Sequence, residues 1–318
     1  MSSAALTPWS LTDVPDQAGR TAVVTGPSLG GLGHHTALEL ARRGARVVLA
    51  GRNPEKLGAT ADAITAELGG DQPAPEQLVV DLSDLTSVRA AARRAADLGP
   101  LHLLVNNAGV MGTQERRTPD GLELQMATNH FGPFLLTGLL LPQLVAAEDA
   151  RVVTVSSLMH RRARSAPLGD PRQQGRYLKW QAYAQSKLAN LLFTFELERR
   201  LREAGLPVAA TAAHPGFAGT HLAANGQFGG AADGLTGRAS SVYDAAVRAV
   251  AQPVAVGAWP TLMAATADLP GGTYCGPDGP GQMRGRPQVV TASAAAQDAG
   301  AQRALWVLSE RTVGLTWP

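Results

Sequence analysis

A glycine-rich loop near the start of the chain has the composition of a phosphate-binding turn. The segment Thr25-Gly-Pro-Ser-Leu-Gly-Gly-Leu-Gly33 lies between a short β-branched segment and a stretch with helical spacing. Glycines at such a junction permit a tight turn and let backbone N–H groups approach a pyrophosphate at the helix N-terminus. Glycine also serves ordinary turns, but the position between a first strand and a first helix favours a dinucleotide site.

The same loop matches a second chemical pattern. Gly26-Pro-Ser28-Leu-Gly30 has the G-x-S-x-G spacing of a hydrolase nucleophile elbow, with Ser28 as nucleophile. A hydrolase also needs an oxyanion loop on an earlier strand, and only about twenty residues precede this one. The last histidine, His221, leaves about a hundred residues behind it, which is early for a triad. The hydrolase interpretation is therefore the weaker one.

Polar residues follow the later apolar segments in an order that suggests a catalytic site. Asn106-Asn-Ala-Gly109 follows the fourth segment, and Ser156-Ser157 follows the fifth. Tyr183 and Lys187 are four residues apart in a helical stretch, so they share one helix face. Such a pair alone is usually a packed tyrosine beside a solvated lysine, but the polar motifs that precede it in this order favour a chemical role.

The elements that must position these residues alternate along the chain. Short apolar segments are separated by helical stretches from about residue 20 to residue 215, without a linker. This alternation predicts βαβ units and a parallel sheet with helices on both faces, in a single domain from 21 to 318 after an N-terminal extension. The predicted strands are 21–25, 46–50, 77–81, 101–105, 151–155 and 208–212. Residues 271–276 are a candidate last strand, and 293–314 a final helix.

Composition and charge exclude several classes of protein. The chain has 318 residues, of which 45% are hydrophobic and 17% charged, and this balance argues against intrinsic disorder. A net charge of +2 lacks the concentrated basic surface of a nucleic-acid binder. The single cysteine, Cys275, excludes an internal disulfide, and the seven histidines show no metal-ligand spacing.

Membrane and export signals are also missing from the pattern. Residues 1–20 show no signal-peptide pattern. The longest apolar stretch, 131–147, is interrupted by glycine and proline, so we predict a buried helix rather than a membrane span. We expect a cytoplasmic protein without a membrane or nucleic-acid partner.

Taken together and in this order, the motifs resemble the short-chain dehydrogenase/reductase family, in particular its retinol-dehydrogenase-like members. The flanking residues agree in Tyr183-Ala-Gln-Ser-Lys-Leu-Ala-Asn190 and in His214-Pro-Gly216, and the resemblance covers about residues 20–220. It implies a doubly wound Rossmann-type fold, a nicotinamide cofactor, and hydride transfer between a carbonyl compound and its alcohol. A non-catalytic cofactor sensor is the remaining alternative, although such proteins commonly lack the tyrosine or the lysine.

The resemblance also implies roles for individual side chains. Tyr183 would be the general acid in reduction and the base in alcohol oxidation. Lys187 would favour the phenolate by its charge and bond the nicotinamide ribose. Ser157, rather than Ser156, would orient the substrate oxygen, and Asn129 would hold a proton-relay water unless it is merely a helix-bend residue.

Cofactor preference follows from the end of the second strand, Leu49-Ala-Gly51-Arg52-Asn53, which has no acid. An acid there would bond the ribose 2′-OH of NAD, whereas a guanidinium suits a 2′-phosphate. We therefore predict that NADP(H) is preferred over NAD(H), through Arg52 with Ser28 as a second phosphate contact. One extra residue in the glycine loop leaves open whether Gly30 or Gly31 takes the usual position. The other cofactor contacts that the resemblance implies are Gly26, Gly31, Leu32, Gly33, Asn53, Asp81, Leu82, Asn107, Ala108, Gly109, Tyr183, Lys187, Pro215, Gly216 and Thr220.

Four apolar residues fall near the expected substrate pocket: Met111, Met159, Trp180 and Phe217. Because they are apolar and adaptable, they suit a lipophilic or aromatic ketone, aldehyde or alcohol, although core packing explains each equally well. Residues 160–176 read as an exposed arginine-rich loop, with His160 exposed in it. The segment at about 221–241 is either a mobile loop or a mobile lid over the pocket. A homodimer through the tyrosine-bearing helix and the helix before it is open, because the long segment between Ser157 and Tyr183 could obstruct that contact.

Overall fold

The computed structural model describes residues 9–69, 72–163, 176–217 and 252–318. The strands in these ranges are β1 (Thr21–Thr25), β2 (Arg46–Gly51), β3 (Glu76–Val79), β4 (Leu103–Asn106), β5 (Ala150–Val155), β6 (Val208–Ala213), β7 (Tyr274–Pro277) and β8 (Pro287–Val289). The α-helices are α1 (Leu32–Arg42), α2 (Pro54–Leu68), α3 (Leu85–Ala95), α4 (Leu124–Met126), α5 (Gly132–Val145), α6 (Lys179–Glu203), α7 (Val254–Gly257), α8 (Trp259–Thr266), α9 (Ala294–Gln297) and α10 (Ala299–Val313). A π-helical turn, Ala127–Phe131, joins α4 to α5. Short 3₁₀ turns occupy Leu11–Asp13, Ala96–Leu98, Leu158–Arg162 and Pro280–Gln282.

The strands of the described residues form one sheet in the order β3-β2-β1-β4-β5-β6-β7-β8. Strands β3 to β7 pair in parallel, and β8 pairs antiparallel with β7 at the edge. The order reverses between β1 and β4, and open α/β sheets bind ligands in the crevice at the carboxyl ends of such strands. The prediction of a doubly wound parallel sheet with helices on both faces is confirmed, and β8 is the strand that the sequence pattern missed.

Two apolar cores lie on the two faces of the sheet. Helices α3, α5, α6 and α10 pack on one face, and α1, α2 and α8 pack on the other. Strands β1 and β4 are buried along their whole length, as strands covered on both faces must be. On the first face, Trp306 and Trp317 pack with Phe134 and Phe193 into one aromatic cluster, in which Phe134 makes edge-to-face contacts and Phe193 stacks on Trp306.

Local signals explain where several helices begin and end. Asn53 caps α2 by accepting a hydrogen bond from Lys56 N at 2.9 Å, and Gly69 ends it at φ +72°. The apolar stretch 131–147 forms the buried helix α5, as predicted. The predicted final helix is divided in two because the Asp298 carboxylate caps α10, accepting from Gly300 N and Ala301 N.

Several expectations concern residues outside the described ranges. Thr220, the segment at about 221–241 and residues 164–175 of the arginine-rich loop are among them. In the part of the chain that the structure describes, no helix combines the length and apolarity needed to cross a bilayer. In the same part, no group of three or more His, Cys, Asp or Glu side chains is arranged to hold a metal ion.

Candidate active site

The glycine loop between β1 and α1 is packed against the loop that follows β4. A Cβ on Gly26 would lie 2.7 Å from Ala108 Cα, and one on Gly33 would lie 2.5 Å from Asn107 Nδ2. Both distances are too short for any side chain, so glycine is required for this close approach. Gly30 makes the left-handed turn at φ +70°, whereas Gly31 is the N-cap of α1 at φ −88°. The two glycines that the sequence could not separate therefore have different tasks.

Hydrogen bonds fix this contact between the two loops. The buried Thr25 hydroxyl accepts from Asn107 N and Ala108 N, both at 3.0 Å. Asn107 Nδ2 in turn donates to Thr25 O at 2.8 Å and Gly26 O at 3.1 Å. Thr25 was missed as a site residue, although its place directly before the first glycine was visible in the sequence.

The floor of the crevice fits a dinucleotide. The glycines leave the N-terminus of α1 without side chains at Gly31 and Gly33, where a Cβ would collide with the loop itself. The first N–H groups of a helix have no intrahelical acceptor, so they suit the oxygens of a pyrophosphate. Beside the loop, the Arg52 side chain is exposed and has no hydrogen bond or ion pair to another described residue. Asp81 follows β3, where its carboxylate accepts from the Ser83 amide and hydroxyl.

Among the described residues, no base is hydrogen-bonded to the Ser28 hydroxyl, as the nucleophile of a hydrolase would require. Ser28 is exposed, and its carbonyl accepts from Gly31 N at 2.8 Å. The nearest histidine in the chain, His34, uses Nδ1 to accept from Gly30 N at 3.2 Å and does not bond the serine hydroxyl. The geometry is that of a phosphate loop rather than a nucleophile elbow.

Tyr183 and Lys187 lie on α6 and face the end of β5. Their exposed fractions are 7% and 4%, and Lys187 Nζ lies 5.8 Å from the centroid of the Tyr183 ring. Lys187 Nζ donates to Val155 O at 3.0 Å, and the same carbonyl accepts from Asn190 Nδ2 at 3.1 Å. The shared helix face predicted from the spacing is therefore turned into the site.

The two serines after β5 have different partners. Ser156 is buried, and its hydroxyl donates to Lys187 O at 2.7 Å. Ser157 caps the 3₁₀ turn Leu158–Arg162 by accepting from Met159 N at 3.2 Å, and its side chain lies beside the Tyr183 phenol. Ser157 is thus the serine that meets the tyrosine, and Ser156 ties β5 to α6.

Burial dominates the titration of both catalytic candidates. It raises the pKa of Tyr183 to about 12, and the neighbouring Ser157 side chain offsets this only in part. Burial also lowers the pKa of Lys187 to about 8. Lys187 does not offset this burial in the structure, because its ammonium is directed at Val155 O, so its effect on the tyrosine during catalysis stays a prediction.

Asn129 lies in the π-helical turn between α4 and α5. Its Oδ1 accepts from Val110 N at 2.7 Å, and its Nδ2 donates to Val110 O and to Ser186 Oγ, both at 2.9 Å. A Cβ on Gly109 would lie 3.1 Å from Asn129 Oδ1 and 3.4 Å from Lys187 Nζ. Asn129 therefore links the β4 loop to α6, and its role toward a relay water stays a prediction.

His160 is buried rather than exposed, which corrects the sequence expectation. Its Nδ1 donates to Ser157 O at 2.7 Å, and its Nε2 accepts from Ser293 N at 3.3 Å. Burial lowers the pKa of this imidazole. The arginine-rich composition around it suggested exposure, whereas the histidine itself fastens the turn that begins at Ser157.

The segment after β6 is held by a second set of bonds. Gly216, at φ +65°, donates its N–H to His214 Nδ1 at 3.1 Å, and a Cβ there would lie 2.4 Å from Met283 O. The Pro215 carbonyl accepts from Gln252 Nε2 at 2.7 Å. These bonds fix the backbone that the resemblance assigns to the nicotinamide amide.

The apolar candidates stand at the edge of the crevice. Trp180 packs on the loop that carries Met111, since a Cβ on Gly112 would lie 3.0 Å from Trp180 Cη2. Met159 follows Ser157 by two residues and is half-buried. Phe217 donates its N–H to Met283 O, and the Trp180 and Phe217 side chains are 38% and 37% exposed.

Comparisons with known proteins agree with this geometry. The family model described as short chain dehydrogenase matches residues 20–227. Retinol dehydrogenase 13 from Homo sapiens is 37% identical over 302 residues, which is 94% of this chain and 86% of that protein. Polyprenol dehydrogenase from Mus musculus is 44% identical over 214 residues, 66% of this chain, and retinol dehydrogenase 12 from Mus musculus is 45% identical over 208 residues, 65% of this chain. These two alignments span 63% and 64% of the relatives' own lengths.

Solved structures give the same relationship. A crystal structure of a protein from Mycobacterium paratuberculosis is 42% identical with a TM-score of 0.79, covering 98% of this chain and 100% of that one. A short chain dehydrogenase from Escherichia coli CFT073 in complex with NADPH is 26% identical with a TM-score of 0.60, covering 81% of this chain and 97% of that one. The chain therefore belongs to the short-chain dehydrogenase/reductase family, in its retinol-dehydrogenase-like branch.

Proposed function

We propose that this protein is an NADP(H)-dependent oxidoreductase that interconverts a lipophilic or aromatic ketone or aldehyde and its alcohol. The observation that carries the proposal is the cluster formed by the buried Tyr183 and Lys187 on α6, with the Ser157 side chain beside the Tyr183 phenol. It lies at the carboxyl ends of the strands, the same edge as the glycine loop. A proton donor and a hydride carrier can therefore meet at one substrate carbon–oxygen bond.

The side chains of the site handle the proton. A bound nicotinamide supplies or accepts the hydride. Because the pKa of Tyr183 is raised to about 12, its phenol stays protonated near neutral pH and can donate to a carbonyl oxygen. Ser157 would hold that oxygen beside the phenol. With a pKa of about 8, Lys187 carries its charge in most molecules at neutral pH and favours the developing phenolate.

Support for NADP(H) comes from the end of β2. Arg52 is exposed beside the glycine loop and is free of partners among the described residues, so its guanidinium can meet a 2′-phosphate. Asn53, in contrast, is engaged in capping α2. Ser28 is also exposed on this side and offers a hydroxyl.

Support for a lipophilic substrate comes from the rim of the crevice. Trp180 and Phe217 are both exposed at this rim. Leu178, two residues before Trp180, is exposed too, and so is Met283, whose carbonyl accepts from Phe217 N. Exposed apolar groups around a buried polar centre suit an apolar ligand with one reacting oxygen. The names of the relatives, retinol and polyprenol dehydrogenases, point to the same class of alcohol. A cytoplasmic location and a homodimer stay predictions.

The test follows nicotinamide absorbance while the protein and NADPH meet a panel of lipophilic aldehydes, aromatic ketones and steroid ketones. We expect the wild type to consume NADPH and the Tyr183→Phe variant not to. Tyr274→Phe is the comparison variant, because Tyr274 is also buried, at 2% exposed, but its hydroxyl lies on the Ser156 side rather than beside Ser157. Tight NADPH binding without turnover of any compound would favour a cofactor sensor. Failure to bind NADPH, with fluorophosphonate labelling of Ser28, would favour the hydrolase.

A further inference from the structure

Three buried or half-buried side chains lie one layer behind the catalytic residues, and we call Glu123, Gln125 and Tyr177 the clamp. The Glu123 carboxylate is fully buried and caps α4, accepting from Gln125 N at 2.9 Å and Met126 N at 2.7 Å. The Tyr177 hydroxyl donates to the same carboxylate at 2.8 Å. A buried carboxylate needs such donors, so the Glu123 carboxylate and the Tyr177 hydroxyl stabilise each other's position.

Gln125 joins three separate segments with one side-chain amide. Its Oε1 accepts from Gly112 N at 2.8 Å, in the loop after β4. Its Nε2 donates to the Tyr177 hydroxyl at 2.7 Å and to Lys179 O at 2.9 Å, at the start of α6. Gln125 has no exposed surface, so water cannot replace these bonds without opening the structure.

The clamp makes a second connection between the loop after β4 and α6, in addition to the one that Asn129 makes. Asn129 ties Val110 in the β4 loop to Ser186 on α6. Gln125 lies one helical turn before Asn129, and it ties Gly112 to Lys179, two turns before Ser186. Two links between the same elements fix direction as well as separation. Farther along α6, Lys187 and Asn190 are bonded to Val155 O, so the Gln125 link acts mainly on the first turn of the helix.

The start of α6 depends on this second link. Its N-cap, Leu178, makes no side-chain capping bond, and Leu178 is exposed. The residues on either side of it, Tyr177 and Lys179, are the ones that the clamp holds. Trp180 is the next residue and rests on Gly112, whose N–H also belongs to the clamp. Tyr183 follows one turn later.

We propose that Glu123, Gln125 and Tyr177 are positioning residues that aim the first turns of α6, so that Tyr183 meets Ser157 and Trp180 shapes the substrate side. This inference rests on the proposed function for its kinetic consequence. A displacement of about 1 Å in a reacting group can cost about a hundredfold in rate. The clamp touches no residue assigned to the cofactor, so NADPH affinity is not expected to depend on it.

The test compares Tyr177→Phe, Gln125→Met and the double variant in the wild-type chain. We expect each single variant to lower kcat about tenfold to a hundredfold, with the Kd for NADPH unchanged. Because the three side chains act as a unit, the double variant should lose little more than either single one. Fully additive losses, or unchanged kcat, would overturn the proposal.

A matched control separates aiming from stability. Thr211→Val removes a fully buried hydroxyl that donates to Ala264 O at 3.0 Å, away from α6 and the β4 loop. It should lower the midpoint of urea unfolding about as much as Tyr177→Phe while keeping kcat. Equal losses of kcat in both variants would assign the effect to stability and refute the clamp.

Hydrogen exchange tests the aiming role without any turnover. Tyr177→Phe should make the amides of the first turn of α6, at Gln181 and Ala182, exchange about tenfold faster. Gln125→Met should also expose the Gly112 amide, whose acceptor it removes. Unchanged exchange at these amides would refute the clamp even if the wild type is inactive on every compound tried. If the variants exchange faster but the wild type is inactive on every compound, the clamp is supported and only the proposed function is contradicted.

Discussion

The most direct test of the glycine loop is the Gly33→Ala substitution. An alanine Cβ at this position would lie 2.5 Å from Asn107 Nδ2, 2.8 Å from Gly26 O and 3.0 Å from Pro27 Cα. The asparagine amide cannot simply turn away, because it donates to Thr25 O and Gly26 O. The backbone neighbours cannot move alone either, since Gly26 is itself in contact with Ala108.

The expected cost follows from three contributions. Inserting a methyl group into a packed contact costs about 1–3 kcal/mol. Loss of one Asn107 hydrogen bond adds about 1 kcal/mol. Alanine is better than glycine inside a helix by about 0.5–1 kcal/mol, which opposes both costs. We therefore expect the free energy of unfolding to fall by about 1–3.5 kcal/mol.

Urea unfolding and NADPH titration are the assays for this prediction. Gly58→Ala is the matched control, because Gly58 lies inside α2 and its nearest neighbour to a new Cβ would be Gln77 Nε2 at 3.7 Å. The same substitution there should stabilise the protein by about 0.5–1 kcal/mol. NADPH affinity should drop for Gly33→Ala and stay constant for Gly58→Ala. A Gly33→Ala protein with wild-type stability and affinity would show that the steric reasoning is wrong.

Three further predictions concern charge and pH. Arg52→Ala should weaken NADPH binding about tenfold to a hundredfold and leave NADH binding nearly unchanged; equal effects in titrations of both would contradict the 2′-phosphate contact. Carbonyl reduction, measured as kcat against pH, should slow as pH rises through about 8, since neutral Lys187 no longer favours the phenolate; a flat profile would count against the lysine. Between pH 8 and the lysine's usual pKa of 10.5, the unfolded chain binds more protons at Lys187 than the folded chain does. The free energy of unfolding of the wild type should therefore rise with pH relative to that of Lys187→Met. If denaturant titrations give both proteins the same dependence of stability on pH, the pKa of Lys187 is not lowered.

The local patterns of the chain were sufficient for the sheet and for most motif positions. Parallel strands covered on both faces are continuously apolar, so β1, β2 and β5 are visible as short runs between helical stretches. The glycine loop is equally local. Strand β8 is short and largely exposed, with no apolar run to mark it, so only its pairing with β7 defines it.

Features that depend on tertiary contact were beyond the sequence. His160 lies in an arginine-rich segment, yet its burial arises from Ser293, which is far away in the chain. The pKa of Tyr183 is set by the desolvation of a packed crevice rather than by the lysine four residues on. The roles of Gln125 and Tyr177 were invisible for the same reason, because neither belongs to a motif and their partners come together only in the fold.

The loop from Asn107 to Gly112 is the element that aligns the two halves of the site. Its first residues contact Thr25 and the glycine loop, and its later residues bond Asn129 and Gln125. A displacement of Asn107 by Gly33→Ala must therefore be passed on toward α6, over only three residues to Val110. We expect Gly33→Ala to have a lower kcat even when NADPH is saturating. Arg52 makes no hydrogen bond to this loop, so Arg52→Ala should regain wild-type kcat at saturation. If saturating NADPH restores both variants equally, the loop after β4 does not couple the cofactor side to Tyr183.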